Sequence, residues 1–185
     1  MRVISGTARG RKLKELQGMD TRPTTDKVKE SIFNIIQFEL EGRRVLDLFG
    51  GTGQLGIEAL SRGAQRCTFV DQRREAAALI RENVKLVGFE DRSRVVQGEA
   101  LSFLGACREK FDVIFLDPPY QSGLLEKCVN DICRFDILGE YGIIVCESPV
   151  EWSLPPLESP YEVGREYRYG KIKLTICRRA GSVER

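Results

Sequence analysis

The tetrapeptide Asp117-Pro118-Pro119-Tyr120 places an acid, two prolines and an aromatic ring directly after an apolar run, residues 111–116. The run predicts a buried strand, so the tetrapeptide stands where that strand ends. Proline lacks an amide hydrogen and stiffens the turn, which leaves the Asp117 carboxylate and backbone carbonyls as acceptors. Tyr120 adds a flat face for stacking. This arrangement suits a flat group with an –NH2, such as a nucleobase; a plain proline-rich turn is the alternative.

A glycine-rich loop follows an earlier strand candidate. Residues 47–56 place Gly51, Gly53 and Gly56 in the spacing Gly-x-Gly-x-x-Gly between a strand and a helix. Such glycines allow a tight turn and a close approach of a ligand to the backbone. Asp71 ends the next strand, where its carboxylate would accept hydrogen bonds from both hydroxyls of a ribose. The pattern predicts a nucleoside-containing cofactor; a glycine turn with a solvated aspartate is the alternative.

The glycine spacing fits NAD as well as S-adenosylmethionine, and three features favour the methyl donor. Asp47 stands at the mouth of the first strand, where its charge disfavours a pyrophosphate but would hold the amino acid end of the methyl donor. Glu99-Ala100 follows the third strand, where a carboxylate would reach an adenine amine. Asp117 ends the fourth strand. The residues expected to bind the cofactor are Asp47, Phe49, Gly51, Gly53, Asp71, Gln72, Glu99, Ala100 and Asp117.

Alternating strand-like and helix-like segments must position these residues. The strand candidates are 44–48, 66–71, 93–97, 111–117 and 142–147. The helix candidates are 25–40, 54–62, 73–87, 100–109 and 122–134. This alternation predicts a parallel sheet with helices on both faces. Residues 161–169 and 171–178 are strand-like around Tyr169-Gly170, which predicts an antiparallel hairpin at the sheet edge.

Composition narrows the possible chemistry. The 185 residues include no histidine, which excludes Ser-His-Asp and Cys-His catalysis and histidine-ligated metals. The six cysteines form no Cys-x-x-Cys pair, so we expect no zinc and no disulfide framework. Cys67, Cys146 and Cys177 lie in apolar runs and are expected in the core. No apolar stretch reaches the roughly 20 residues of a membrane span, and the N-terminus lacks a signal peptide core. We expect a cytoplasmic monomer without a metal ion or membrane contact.

Charge is unevenly distributed, although the net charge is only +2. Residues 1–29 contain eight basic and three acidic side chains, and residues 165–185 contain seven basic and two acidic ones. The intervening segment is acidic. If both ends lie on one side of the fold, they form a basic face that attracts nucleic acid phosphates. Two solvated basic tails are the alternative.

At the glycine loop, at Asp71 and at the tetrapeptide 117–120, the chain resembles class I S-adenosylmethionine-dependent methyltransferases. Residues 47–53 are similar to their glycine-rich first motif, Asp71 to their ribose-binding acid, and residues 117–120 to the signature of enzymes that methylate exocyclic amines of nucleobases. The resemblance implies a Rossmann-like α/β fold with a mostly parallel seven-stranded sheet, helices on both faces and an antiparallel C-terminal hairpin. It also implies one methyltransferase domain over residues 1–185, with residues 1–24 as a basic N-terminal extension.

Further segments resemble the bacterial family that methylates N2 of a guanine in 16S ribosomal RNA. These segments are residues 2–6, 9–13, 22–24, 27–34 and 55–64. Glu99 departs from the family, which more often has aspartate at that position. The resemblance implies S-adenosylmethionine as the methyl donor. It implies 16S ribosomal RNA, free or within the small ribosomal subunit, as the partner.

The resemblance also implies roles for individual residues. Asp117, Pro118, Pro119 and Tyr120 would form the catalytic site, with Asp117 and the Pro118 carbonyl holding the guanine amine and Tyr120 stacking on the base. The guanine must be unstacked from the folded RNA to enter. The expected RNA contacts are Arg2, Arg9, Arg11, Lys12, Arg22, Thr24, Lys27, Arg168 and Lys171. Thr24 and Lys27 are equally suited to close over the cofactor.

Three other functions fit parts of this pattern. A DNA adenine-N6 methyltransferase would share the cofactor loop and the tetrapeptide, but the chain leaves no room for a separate target-recognition domain. An NAD(P)-dependent oxidoreductase would share the glycine loop, but histidine, a usual proton donor, is absent. A non-catalytic RNA-binding assembly factor would keep only a vestigial pocket. The complete set of acidic and glycine residues argues against this function.

Overall fold

The computed structural model describes residues 1–16, 26–119 and 123–182, which form one sheet with helices on both faces. The strands are β1 Arg44–Asp47, β2 Arg66–Asp71, β3 Ser93–Gln97, β4 Phe111–Leu116, β5 Leu138–Pro149, β6 Tyr161–Tyr169 and β7 Ile172–Arg179. The helices are α1 Asp26–Ile35, α2 Gln54–Ser61, α3 Arg74–Val87, α4 Ala100–Ala106 and α5 Leu124–Arg134, with a 3₁₀ turn at Glu90–Arg92. The predicted Rossmann-like α/β fold is confirmed.

The seven strands lie in the order β3-β2-β1-β4-β5-β7-β6. Strands β1 to β5 pair in parallel, whereas β7 is antiparallel to both β5 and β6, as the predicted hairpin requires. The chain passes from β3 on one side of β1 to β4 on the other, so the strand order reverses between β1 and β4. Ligands of open α/β sheets bind at such a reversal, outside the carboxyl ends of the strands.

Each face of the sheet packs against its own helices. Helices α1, α2 and α3, together with the N-terminal segment, cover one face, which includes Phe69, Val113 and Phe115. Helices α4 and α5 cover the other face, which includes Ile114 and Ile144. Because successive side chains of a strand point to opposite faces of the sheet, the position of a polar residue at a strand end decides which group of helices it faces.

The N-terminal segment, residues 1–16, folds back on itself against α1 and α2. Arg2 and Lys12 pair as an isolated antiparallel bridge. Glu58 of α2 is buried and accepts hydrogen bonds from the amides of Ile4 at 2.8 Å and Ser5 at 2.9 Å. The buried carboxylate therefore holds the segment in place through its backbone.

Lys29 of α1 completes this buried polar contact. Its side chain is 0% exposed, lies 3.9 Å from the Glu58 carboxylate and donates to the Arg2 carbonyl at 2.7 Å. Burial lowers the pKa of Lys29, while the Glu58 carboxylate opposes this shift. A buried charge of this kind is tolerated when a partner and hydrogen bonds satisfy it.

Three elements, α1, α4 and β5, differ by three or more residues from the predicted ones. Helix α4 ends at Ala106, before the predicted residue 109, because Cys107 has an extended backbone. Helix α1 ends at Ile35, because residues after it form a turn in which the Glu39 amide donates to the Ile36 carbonyl at 2.9 Å. The turn brings Glu39 inward, where it lies 3.5 Å from both Arg43 and Arg178. Strand β5 begins at Leu138, before the predicted residue 142, with a register shift against β4. The interrupting Gly139 and Gly142 hide this start in the sequence.

The core positions predicted for three cysteines agree with the structure. Cys67, Cys146 and Cys177 are buried in the two cores, and all six thiols are free. Burial raises the pKa of the Cys67 thiol well above its ordinary value, which keeps this sulfur a neutral core atom.

Hydropathy along the helices gives one further result. In the described ranges, no helix has both the length and the apolar character needed to cross a membrane.

Candidate active site

A cavity of about 840 Å³ opens at the carboxyl ends of the parallel strands, at the reversal of strand order. Its volume lies in the range of small-molecule and cofactor sites. Most of the residues predicted from the sequence line it: Asp47, Phe49, Gly51, Asp71, Gln72, Glu99, Ala100, Asp117, Pro118 and Pro119. The fold thus brings residues from the ends of four strands to a single cavity.

Two carboxylates at strand ends hold the glycine loop. The Gly51 amide donates to Asp71 Oδ2 at 2.9 Å, and the Gly56 amide donates to Asp47 Oδ2 at 3.1 Å. Gly53 precedes α2 with a φ of 82°, which a residue with a side chain rarely adopts. A Cβ at Gly56 would lie 2.2 Å from the Phe69 ring. Gly53 and Gly56 therefore shape and pack the loop, while Gly51 faces the cavity.

Asp71 also receives a guanidinium. The Arg73 amide and Nε donate to Asp71 Oδ1 at 2.9 and 3.1 Å, and Arg73 Nη2 donates to Asp71 Oδ2 at 3.2 Å. A ribose that bound to Asp71 would share this carboxylate with Arg73 or displace the guanidinium. Sequence reasoning did not single out Arg73, although its position two residues after a strand-ending acid is a recognisable signal.

Asp47 is only 3% exposed, yet it lines the cavity. Burial raises the pKa of Asp47 to about 7; the hydrogen bond from the Gly56 amide opposes this shift, and the Asp71 carboxylate adds to it. Near neutral pH the carboxyl group therefore exchanges between its neutral and charged forms. A cationic ammonium placed beside it would favour the charged form.

Asp117 and Glu147 each follow directly after paired residues of two neighbouring strands. Leu116, the last residue of β4, pairs with Cys146 of β5, so both acids stand at the same edge of the sheet. Both residues line the cavity. Glu147 is 5% exposed. It was not predicted as a site residue, although an acid at the end of an apolar strand signals such a place.

A smaller pocket of about 100 Å³ adjoins the cavity beyond the two prolines. Pro118, Pro119, Leu124 and Glu147 line both spaces. The small pocket is completed by the start of α5, by the end of β5 and by Trp152, the single tryptophan of the chain. Pro118 and Pro119 therefore lie between the two spaces. The cavity is on the side of the glycine loop, and the small pocket is on the side of Trp152.

The N-terminal segment contributes to the cavity wall through Met1, Glu15 and Leu16, which sequence reasoning did not predict. The buried side chain of Asn83 accepts from the Lys14 amide at 2.8 Å and donates to the carbonyls of Lys14 at 3.0 Å and Thr52 at 2.9 Å. One amide of α3 therefore ties the N-terminal segment to the glycine loop. No local pattern in the sequence indicates this long-range contact.

The predicted RNA contacts fall in different places. Arg168 and Lys171 are exposed at the β6–β7 turn, and Ile172 pairs with Pro149, so this turn lies at the cavity edge of the sheet. Arg9 and Arg11 are exposed beside the turn whose Thr7 amide donates to the Ser61 carbonyl. Ser61 ends α2, roughly 12 Å of helix away from the glycine loop.

The other predicted RNA contacts are partly described. Arg2, Lys12 and Lys27 are exposed. Arg22, Thr24 and the catalytic candidate Tyr120 lie outside the described residues.

Some basic side chains near the C-terminal end of the chain form ion pairs within the fold. Lys173 is buried and lies 3.0 Å from both the Glu166 carboxylate and Ser153 Oγ. Arg178 lies 3.5 Å from Glu39, and Arg179 pairs with Asp136. The surface of the C-terminal hairpin is therefore less basic than its composition indicates, and Arg168 and Lys171 supply exposed charge at the cavity edge.

Metal binding is the first alternative chemistry. Among the residues that the structure describes, no group of three or more His, Cys, Asp or Glu side chains is placed to hold a metal ion.

Tyr167 and Lys171 have the spacing Tyr-x-x-x-Lys, which a helix would bring to one face. They instead stand on a strand and in the following turn, with Tyr167 packed against the core and Lys171 exposed.

The chain is similar to known proteins along its whole length. The profile of the family described as conserved hypothetical protein 95 matches residues 1–178. The ribosomal RNA small subunit methyltransferase D of Escherichia coli (strain K12) is 34% identical over 184 residues, which cover 100% of this chain and 92% of that protein. YlbH of Bacillus subtilis (strain 168), named as a candidate rRNA methyltransferase, is 42% identical over 184 residues, with coverage of 98% and 100%.

Solved structures agree with this assignment. The structure of yhhF from Escherichia coli, a candidate methyltransferase, superposes with a TM-score of 0.88 at 34% identity and covers 97% of this chain and 98% of that chain. The resemblance inferred from the motifs is confirmed. The chain belongs to the family of conserved hypothetical protein 95, which it shares with full-length relatives named ribosomal RNA small subunit methyltransferase D.

Proposed function

We propose that this protein transfers a methyl group from S-adenosylmethionine to the exocyclic N2 amine of a guanine in 16S ribosomal RNA. The observation that carries the proposal is a single cavity in which the glycine loop and Asp71 face Asp117-Pro118-Pro119. A nucleoside cofactor and a planar amine would meet there. The names of the full-length relatives support ribosomal RNA as the substrate.

The residues of the cavity fit S-adenosylmethionine. Asp71 presents its carboxylate at the end of β2 for ribose hydroxyls, beside the Gly51 amide. Asp47, with its pKa raised by burial to about 7, gains a charge partner from the ammonium of the methionine end. Glu99 and Ala100, at the start of α4, line the part of the cavity that would receive the adenine. The cavity also has the volume that such a cofactor requires.

The chain's own residues position and deprotonate the acceptor. When bound, S-adenosylmethionine supplies a methyl group made electrophilic by its sulfonium, so orientation of the acceptor is the main requirement. The guanine amine is a weak nucleophile because its lone pair is delocalised into the ring. Asp117 and the Pro118 carbonyl accept its two N–H bonds, which favours a pyramidal nitrogen with a directed lone pair. A carbon–nitrogen bond forms as the carbon–sulfur bond breaks, and the nitrogen then loses one proton to Asp117 or water.

The RNA would be held at the cavity edge. The target guanine must leave its stack to reach Asp117, and Arg168 and Lys171 would contact phosphates on either side of it. Arg2, Lys12 and Lys27 extend the exposed basic surface along the N-terminal segment and α1.

The test uses purified protein, S-adenosylmethionine labelled in its methyl group and small ribosomal subunits from cells that lack the gene. Deproteinised 16S RNA and plasmid DNA are assayed in parallel, and the labelled nucleoside is identified by mass spectrometry. We expect N2-methylguanosine from the RNA or the subunits, and the better of these two substrates shows when in assembly the protein acts. Label in DNA alone, or in no nucleic acid, would contradict the proposal.

A further inference from the structure

We infer that Glu147 and Trp152 form the site that selects guanine, in which the Glu147 carboxylate accepts a hydrogen bond from guanine N1–H. The inference rests on the proposed function, since it concerns the base whose amine is methylated. It assigns a role to two residues that lie outside the glycine loop and the Asp117-Pro118-Pro119-Tyr120 motif.

The position of Glu147 supports this role. Glu147 follows Cys146 as Asp117 follows Leu116, and these strands pair in parallel at that register. Both carboxylates therefore line the same cavity, from the ends of two adjacent strands. Glu147 is 5% exposed and lines both the cavity and the small pocket beyond Pro118 and Pro119. It thus faces the place where the base of the held amine must lie.

The chemistry of the base explains why an acid at this place discriminates. Guanine presents N1–H next to its C2 amine, so two neighbouring acceptors match one edge of the base. Adenine presents a lone pair at N1, which a carboxylate repels. A site built to receive a hydrogen bond rejects an analogue without that donor more strongly than an apolar pocket rejects a misfit.

Trp152 supplies an aromatic wall on the far side of the prolines. It lines the small pocket with Pro119 and Glu147, and aromatic rings are the usual stacking surface for an unstacked base. Its loop is fixed at two points, to the β6–β7 turn and to β7: the Val150 amide donates to the Lys171 carbonyl at 3.0 Å, and Lys173 Nζ donates to Ser153 Oγ at 3.0 Å. The ring is therefore held beside the acceptor residues before any base arrives.

The experiment compares two RNAs that differ in one base, which either carries or lacks N1–H together with the oxygen at C6. Synthetic RNA with either guanine or 2-aminopurine at the methylated position is ligated into 16S RNA and used in the form, naked or reconstituted, that the wild type modifies. 2-Aminopurine keeps the C2 amine but has no N1–H. For the wild type we expect single-turnover methylation of the guanine RNA to be about 10- to 100-fold faster. Glu147→Gln should slow methylation of guanine and lower this ratio at least fivefold, because an amide can donate to an unprotonated N1.

Two controls locate any failure. Glu140→Gln, an exposed position on the same strand, should leave the rate and the ratio unchanged, and both variants should bind S-adenosylmethionine like the wild type. A wild-type ratio near one, or a Glu147→Gln variant with the wild-type rate and ratio, would overturn the role of Glu147 while the proposed function stands. If the wild type does not methylate the guanine RNA at N2, the proposed function fails and this inference falls with it.

The role of Trp152 has its own readout. Because Trp152 is the chain's single tryptophan, fluorescence excited at its absorption edge reports on this residue alone. We expect the guanine RNA to quench this fluorescence, and Trp152→Phe to keep methylation within about fivefold whereas Trp152→Ala loses at least tenfold. Unchanged fluorescence on RNA binding together with a fully active Trp152→Ala variant would remove Trp152 from the site.

Discussion

The cofactor half and the acceptor half of the cavity are built in different ways. On the cofactor side, the backbone amides of Gly51 and Gly56 donate to the carboxylates of Asp71 and Asp47, so the loop is fixed by its own hydrogen bonds. On the acceptor side, prolines, Glu147 and Trp152 come from the ends of two strands and a loop. Hydrogen bonds from loop amides to two carboxylates shape the cofactor half, whereas prolines and side chains from separate segments shape the acceptor half.

This difference has a functional consequence. A loop whose amides are held by two carboxylates has a fixed shape, and its glycines tolerate little change because Gly56 packs directly against Phe69. An acceptor site lined by side chains is open to change by single substitutions that leave the loop intact. We therefore expect variants of the two halves to separate cofactor binding from methyl transfer.

The largest effect is expected at the acceptor carboxylate. Asp117→Ala removes an acceptor for the guanine amine, so single-turnover methyl transfer should fall about 1,000-fold or more. Cofactor affinity, measured by calorimetry, should change less than threefold. Asp91→Ala, an exposed position in the 3₁₀ turn, is the matched control. Turnover near the wild-type level in Asp117→Ala would refute the assigned role.

A smaller effect of a different kind is expected at the cofactor carboxylate. Asp71→Ala removes the acceptor of the Gly51 amide and of the predicted ribose hydroxyls, so cofactor affinity should weaken about 10- to 100-fold. At saturating cofactor, methyl transfer should recover to within about tenfold of the wild type. Glu75→Ala on the exposed side of α3 serves as the control. If saturation with cofactor fails to restore transfer, the two halves are not separable in this way.

The contrast also explains what the sequence predicted. The alternation of apolar runs predicted β1 to β4 within one residue, and the glycine spacing located the cofactor loop, because both depend on neighbouring residues. Glu147, Trp152 and Met1 were not predicted as site residues. Glu147 alone had a local signal, as an acid at the end of an apolar strand. Trp152 lines the adjoining small pocket from a loop. Met1 reaches the cavity because the N-terminal segment packs there, tied to the glycine loop by the Asn83 contacts to Lys14 and Thr52. Such long-range contacts leave no local spacing in one sequence.

A pH effect of about tenfold is expected from Asp47. Burial raises the pKa of Asp47 to about 7 in the ligand-free protein, and an ammonium beside it would lower that pKa. The complex then binds fewer protons than the free protein, so cofactor affinity should fall as the pH decreases below about 7, by up to about tenfold per pH unit. Titration calorimetry between pH 5.5 and 8 measures the slope. Asp47→Asn should flatten it, and a wild-type affinity independent of pH would contradict the contact.

Asp47 should also affect stability with the opposite dependence on pH. A carboxyl group whose pKa rises on folding binds more protons in the folded state than in the unfolded one. The free energy of unfolding should therefore decrease as the pH rises from about 4 to about 7. Urea unfolding of the cofactor-free protein over this range checks the sign, and Asp47→Asn should reduce the decrease.

The smallest effects are expected from the surface charges. Arg168→Gln with Lys171→Gln at the cavity edge should raise KM for the RNA substrate about three- to tenfold and reduce its salt dependence. Arg9→Gln, at the far end of α2, should change KM less than twofold. Steady-state assays at several salt concentrations distinguish the two. Equal effects at the hairpin and at Arg9 would show that the RNA covers the whole N-terminal segment.

The most direct test of the division into two halves is a double-mutant cycle with Asp71→Asn and Asp117→Asn, measured as the single-turnover rate at low cofactor concentration. If Asp71 serves cofactor binding and Asp117 serves the acceptor amine, their effects are independent, and the loss in the double variant should equal the product of the single losses within about threefold. A double variant that loses no more than Asp117→Asn alone would contradict the account, because both carboxylates would then act in the same step.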